Sequence, residues 1–126
     1  MADLPVLNWL AKNPKLIAGL RELMQKKKTS SQPFITMRLG SEWADRLNPA
    51  DLISISIGDK EKKSSIIGKA RVLTVKKTTI PLLESHELKL NVGAKFQGDV
   101  MRDMLSVYGD TVTLQSPISV LHLVAV

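Results

Sequence analysis

The chain has 126 residues, 44% hydrophobic and 24% charged, with a formal net charge of +6; this is ordinary composition for one globular domain and excludes a disordered chain. It contains no cysteine, which excludes a disulfide framework, a thiolate metal site and a thiol nucleophile, and neither a secretory signal nor an apolar run of about 20 residues is present, so the chain reads as soluble and cytoplasmic with no membrane partner. The net charge is +4 over residues 1–35, +4 over 36–80 and −2 over 81–126, and a basic N-terminal two-thirds suits an anionic partner because clustered Lys and Arg displace counterions from phosphates.

Asp3 and Pro5 open the stretch LPVLNWLAK in the way a cap and a first-turn proline open a helix. Asn13 and Pro14 repeat that signature. Leu16, Leu20, Leu23 and Met24 then recur at helical spacing, which predicts a second, amphipathic helix. Lys26, Lys27 and Lys28 sit in its last turn, where cations meet the negative end of the helix dipole. Residues 1–30 therefore read as an N-terminal helical extension, and residues 31–126 as the main domain. TSSQP breaks the helix, and FITMRL (34–39) alternates as a strand.

Ser41 is placed to cap a short helix carrying Trp43, Ala44 and Leu47 inward, and NPAD (48–51) is turn chemistry. LISISI (52–57) alternates strictly, so Ile53, Ile55 and Ile57 face a core. A charged hairpin tip over 59–63 follows, and IIGKARVLTV (66–75) is a long strand with Gly68 marking a bulge or bend. TIPLLESHELKLN is helical or irregular, with Ser85 a possible cap. Val100, Met101, Met104, Leu105 and Tyr108 share one side of a later helix, and SVLHLVAV closes the chain as an apolar, centrally paired strand. Val72, Val120 and Val124 join the isoleucines in the expected core. Short strands with helices inserted between them predict an α+β fold, a small and partly open β-barrel, rather than βαβ units.

The chain carries no Gly-rich phosphate loop, no HExxH and no G-x-S-x-G. His86 and His122 stand apart in sequence without a carboxylate pattern that completes a ligand set, so neither a metal nor another cofactor is expected. Glu84 and Glu87, three apart, are read as surface carboxylates rather than a general acid–base pair. Aromatic residues are few, and Trp43 and Tyr108 are assigned to the core edge; this argues against a tight stacking binder.

The order FITMRLGSEWADRLNPADLISISI, IIGKARVLTV, LNVGAKFQGDVMRDMLSVYG, VLHLV resembles the ASCH domain, a family of the PUA-like superfamily of small β-barrels, over residues 31–126. TMR (36–38) is similar to the family's T-x-R strand. LNPADLISISI is similar to its L-x-x-G-D stretch, with Ala50 where glycine is usual and Asp51 retained. The resemblance implies a PUA-like barrel and RNA as partner. Some members are amidohydrolases of acylated cytidine, and others are ribonucleases. In the amidohydrolases a lysine three residues before the threonine activates it and a glutamate ahead of the last helix assists. Here Pro33 and the neighbourhood of Gly93 stand in those places, and an unactivated threonine hydroxyl is a poor nucleophile. The resemblance thus carries the fold and cleft over, with Lys26, Lys27, Lys28, Thr36, Arg38 and Lys95 as candidate nucleic-acid contacts and no catalytic residue. Arg38 either binds an anion bidentately or pairs with Glu42 or Asp45. Alternative functions are a hydrolase of modified nucleosides, a nuclease with a rearranged site, or a small phage-type regulator that binds a protein or dimerises through its N-terminal helices.

Overall fold

The computed structural model describes residues 4–10, 14–58 and 65–126. Asp3, Asn13 and the 59–63 hairpin tip lie outside them, as does the side chain of Leu16. In chain order the elements are β1 (Val6–Leu10), α1 (Pro14–Ser30), β2 (Pro33–Leu39), α2 (Glu42–Arg46), β3 (Leu52–Gly58), β4 (Ser65–Thr78), a 3-10 turn (Ile80–Leu82), α3 (Ser85–Leu90), α4 (Gln97–Tyr108) and β5 (Ile118–Ala125). The strands form one curled sheet, a half-barrel, in the order β1-β3-β4-β5-β2. Among the described strands only the β1–β3 pair is parallel. As the apolar closing run suggests, β5 is central, between β4 and β2.

The first helix of the sequence reading is a strand instead. Leu7 and Trp9 face the core while Val6 is exposed, and β1 lies along β3 with Leu7 beside Ile55 and Trp9 beside Ile57. The N–H of Ser54 donates to Pro5 O at 2.9 Å and extends that ladder. Burying an indole and a leucine on a pleated face outweighs the helix-start signature of Asp3 and Pro5, which concerns local propensity alone. Helix α1 begins at Pro14 as expected. Its Met24 is buried, with Ile17 and Leu20 packed beside it on the concave face of the sheet. Gly68 leaves room for it: a Cβ there would stand 2.9 Å from Met24 Cε, and that side chain would have to shift. Strand β4 is irregular at the same place: its register against β3 skips Ile67.

Two apolar layers flank the sheet. The concave layer holds Leu7, Trp9, Phe34, Ile53, Ile55, Ile57, Val72, Leu121 and Leu123. The convex layer holds Ile35, Met37, Val120 and Ile118 under Val100 and Met104 of α4. Strand parity therefore puts Val120 on the other face from Val72, and Val124 is only half-buried while Leu123 and Ala125 fill the concave core. The stripe of α4 is narrower than its sequence suggests: Val100 and Met104 are buried, but Leu105 and Tyr108 are exposed. Trp43 does pack on the concave core, with the guanidinium of Arg46 4.8 Å above its ring.

Ser41 holds the N-cap position of α2 as expected, whereas Ser85 is displaced from that of α3. Ser41 makes no side-chain capping bond for α2; the buried Ser119 of β5 does so, accepting from Ala44 N at 3.2 Å and donating to Gly40 O at 2.7 Å. Helix α3 is capped by Glu84 rather than Ser85, with the carboxylate of Glu87 accepting from Glu84 N at 2.8 Å.

Candidate nucleic-acid interface

Curling brings the two edge strands, β1 and β2, face to face, and the T-x-R residues lie at their seam. Alternation along β2 turns Phe34 and Thr36 to the concave side, both essentially without exposed surface. The Phe34 ring meets Trp9 edge-on at 6.2 Å. Thr36 Oγ1 accepts from Trp9 Nε1 at 3.3 Å and from Arg38 Nη1 at 3.1 Å. Arg38 Nη1 also donates to Met37 O, and Nη2 crosses the seam to Asn8 O, both at 2.8 Å. The side chain of Asn8 is tied to β3, its Oδ1 accepting from Ser56 Oγ at 2.7 Å. Burial draws the Arg38 guanidinium below the ordinary arginine value, with Tyr108 acting in the opposite sense. Arg38 is thus committed to acceptors of its own chain. Its partner is neither Glu42 nor Asp45, since Asp45 pairs with Lys77 at 2.6 Å. That pairing holds the Asp45 carboxyl below the usual carboxylate range.

The candidate lysines form a second, separate group. Lys26 lies 3.9 Å from Glu22 one turn earlier, both widely exposed. Such a pair contributes little. Lys28 is exposed and Lys27 is half-buried; Lys95 comes from the segment joining α3 to α4. There the ammonium of Lys95 donates to Lys89 O at 3.0 Å and to Asn91 O. Burial first, and the charge of Lys27 second, draw Lys95 below the ordinary lysine value. Lys95, far from α1 in the sequence, thus lies close enough to feel the charge of Lys27. Among the described residues no carboxylate lies within ion-pair distance of Lys27, Lys28 or Lys95.

A third cluster was not legible from the sequence. His86 and His122 converge on a cavity of about 230 Å³ between α3 and the convex face of β4 and β5, lined also by Ile35, Thr74, Lys76, Glu84, Glu87 and Val120. Glu87 is no surface carboxylate. It is 4% exposed, and both its oxygens lie 3.2 Å from Lys76 Nζ. His86 Nδ1 lies 3.2 Å from Glu84 Oε2. Nε2 of His122 is buried without a hydrogen-bond partner. Desolvation, then His86, hold the His122 imidazole below the usual histidine value, against an opposing pull from Glu87. Among the described residues no three ligand-type side chains come together in a way that holds a metal ion. No helix there is long and apolar enough to cross a membrane.

Together these features define a small α+β half-barrel with Thr36 and Arg38 at its seam. The fold is, more narrowly, that of an ASCH domain. A crystal structure of an ASCH domain from Lactobacillus crispatus JV V101 matches 96% of this chain and 79% of its own, with a TM-score of 0.55 at 10% identity. The crystal structure of hypothetical protein PH0355 matches 95% of this chain and all of its own, with a TM-score of 0.56 at 15% identity. No family model matches the sequence, and no curated protein does.

Proposed function

We propose that this chain is a divergent ASCH-family domain that binds nucleic acid, RNA by preference, through its lysine edge, and that it binds without hydrolysing. The observation that carries the reading is the basic end of α1, Lys26, Lys27 and Lys28, with Lys95 close enough to feel the charge of Lys27 and with no carboxylate at ion-pair distance from Lys27, Lys28 or Lys95 among the described residues. Clustered cations gain by neutralising a phosphate chain and releasing its counterions. Thr36 supports the second half of the proposal. Its hydroxyl accepts from two donors, Trp9 and Arg38, and neither is a base able to take its proton. Thr36 and Arg38 then serve barrel closure, while Lys26, Lys27, Lys28 and Lys95 meet the ligand.

The test is fluorescence anisotropy with a short labelled RNA across a salt series. Replacing Lys26, Lys27 and Lys28 by glutamine is expected to weaken binding and to flatten the log–log salt slope by about one unit per lost phosphate contact. Unchanged affinity and slope in a folded triple variant would overturn the assignment of this edge, leaving a protein partner as the better reading. Turnover of an acylated cytidine that vanishes in Thr36→Ala would return the chain to the hydrolases.

A further inference from the structure

The segment that delivers Lys95 to the basic edge also delivers an aromatic ring. Phe96 follows it directly and is 71% exposed, whereas the chain's other phenylalanine, Phe34, is wholly buried. Its backbone is fixed. Phe96 O accepts from Asp99 N at 3.1 Å and Val100 N at 3.0 Å. The next residue, Gln97, donates from Nε2 to Pro81 O at 3.3 Å and Leu83 O at 3.2 Å. These bonds set the start of α4 against the 3-10 turn, whose Leu82 is 67% exposed. The ring therefore stands out from a pinned backbone. The nearest carboxylate in sequence, Asp99, is engaged by Arg102 at 3.1 Å. A lone exposed apolar residue needs no explanation. With Phe96 next to Lys95 in the chain, one segment carries both halves of a nucleotide site: an exposed flat apolar face for a base and an ammonium group for a phosphate.

Resting on the nucleic-acid reading above, we infer that Phe96 is a base-stacking platform and that the ligand is single-stranded. Stacking on one ring is tolerant of base identity, because every base has a π-face. A duplex keeps its bases stacked on each other and offers this ring nothing. The preference is therefore for strand state, not for sequence.

The experiment compares wild type, Phe96→Ala and Phe96→Trp in binding a labelled single-stranded oligoadenylate and a labelled RNA hairpin of equal length. Phe96→Ala is expected to lose about five-fold or more in affinity for the single strand, with an unchanged salt slope and little change for the hairpin. Phe96→Trp is expected to retain binding and to show indole quenching on addition of the oligonucleotide. Equal affinity of wild type and Phe96→Ala, in a protein that binds the single strand with its lysine-dependent salt slope intact, overturns the platform and leaves the lysine edge standing. A wild type that binds neither probe overturns both. Loss of self-association in Phe96→Ala by sedimentation, with RNA affinity unchanged, would also overturn it and make Leu82 and Phe96 a protein contact.

Discussion

Ala50 has a φ of +78°, in the left-handed region, at the position where the resembling ASCH stretch carries glycine. It cannot relax, because both its backbone groups are held: Ala50 N donates to Val72 O at 2.8 Å, and Ala50 O accepts from Arg71 Nη1 at 2.9 Å. The turn is pinned further by Asp51, whose Oδ2 accepts from Asn48 N at 2.8 Å. A left-handed L-residue costs about 1–2 kcal/mol. Glycine escapes that cost but gives back about 0.4–1 kcal/mol through the greater entropy of its unfolded chain. The Ala50 side chain is exposed, so its removal opens no cavity. Ala50→Gly is therefore expected to stabilise by about 0.5–1 kcal/mol, or about 2–4 °C in melting temperature for a domain of this size. Thermal melts and urea titrations with an unchanged m-value measure it. Ala50→Val serves as the opposite control and should lose stability. A glycine variant that melts at or below wild type would show that the turn is not strained, and the argument from φ would fail.

Two other perturbations probe the seam and the histidine cavity. Arg38→Met leaves the Asn8 carbonyl and the Thr36 hydroxyl without this donor and is expected to cost about 2 kcal/mol in denaturant melts; a loss below about 0.5 kcal/mol would mean that the seam holds without it. His122 is held below the usual histidine value by burial and by His86, so the unfolded chain takes up the proton first as pH falls. Stability is then fully present above about pH 6.5 and declines below it. His122→Asn, with Lys76, His86, Glu84 and Glu87 all still facing the cavity, should flatten that decline between neutral and mildly acidic pH, and an identical slope in the variant would assign the effect elsewhere.

What could be read from the sequence is what neighbours in the chain decide. Ile53, Ile55 and Ile57 announce their face by alternation, and all three are buried. The body of α1 follows from its stripe and from Pro14. What could not be read depends on partners far along the chain. Strand β1 is five residues long and its ladder lies on residues 54–58, so its own sequence offers only the helix-like Asp3 and Pro5. The cap of α2 comes from Ser119, 75 residues after Ala44. His86 and His122 meet only because α3 folds back over β5. Arg38 stood open between an anion and a pairing with Glu42 or Asp45, because nothing local showed that β1 would arrive beside it. Ala50 was visible as a departure from glycine, but its backbone angle was not. The exposure of Phe96 has no local signature at all.

The seam between β1 and β2 also limits how this protein meets others. An open sheet has two unpaired rims, each a template on which a foreign strand can grow. Here the rims face one another, bridged by Arg38 to Asn8 O and by Trp9 to Thr36, and β2 is further occupied where Val92 N donates to Ile35 O at 2.9 Å. Lengthening the sheet would first require breaking those bridges. The closed seam thus guards against fibrillar assembly.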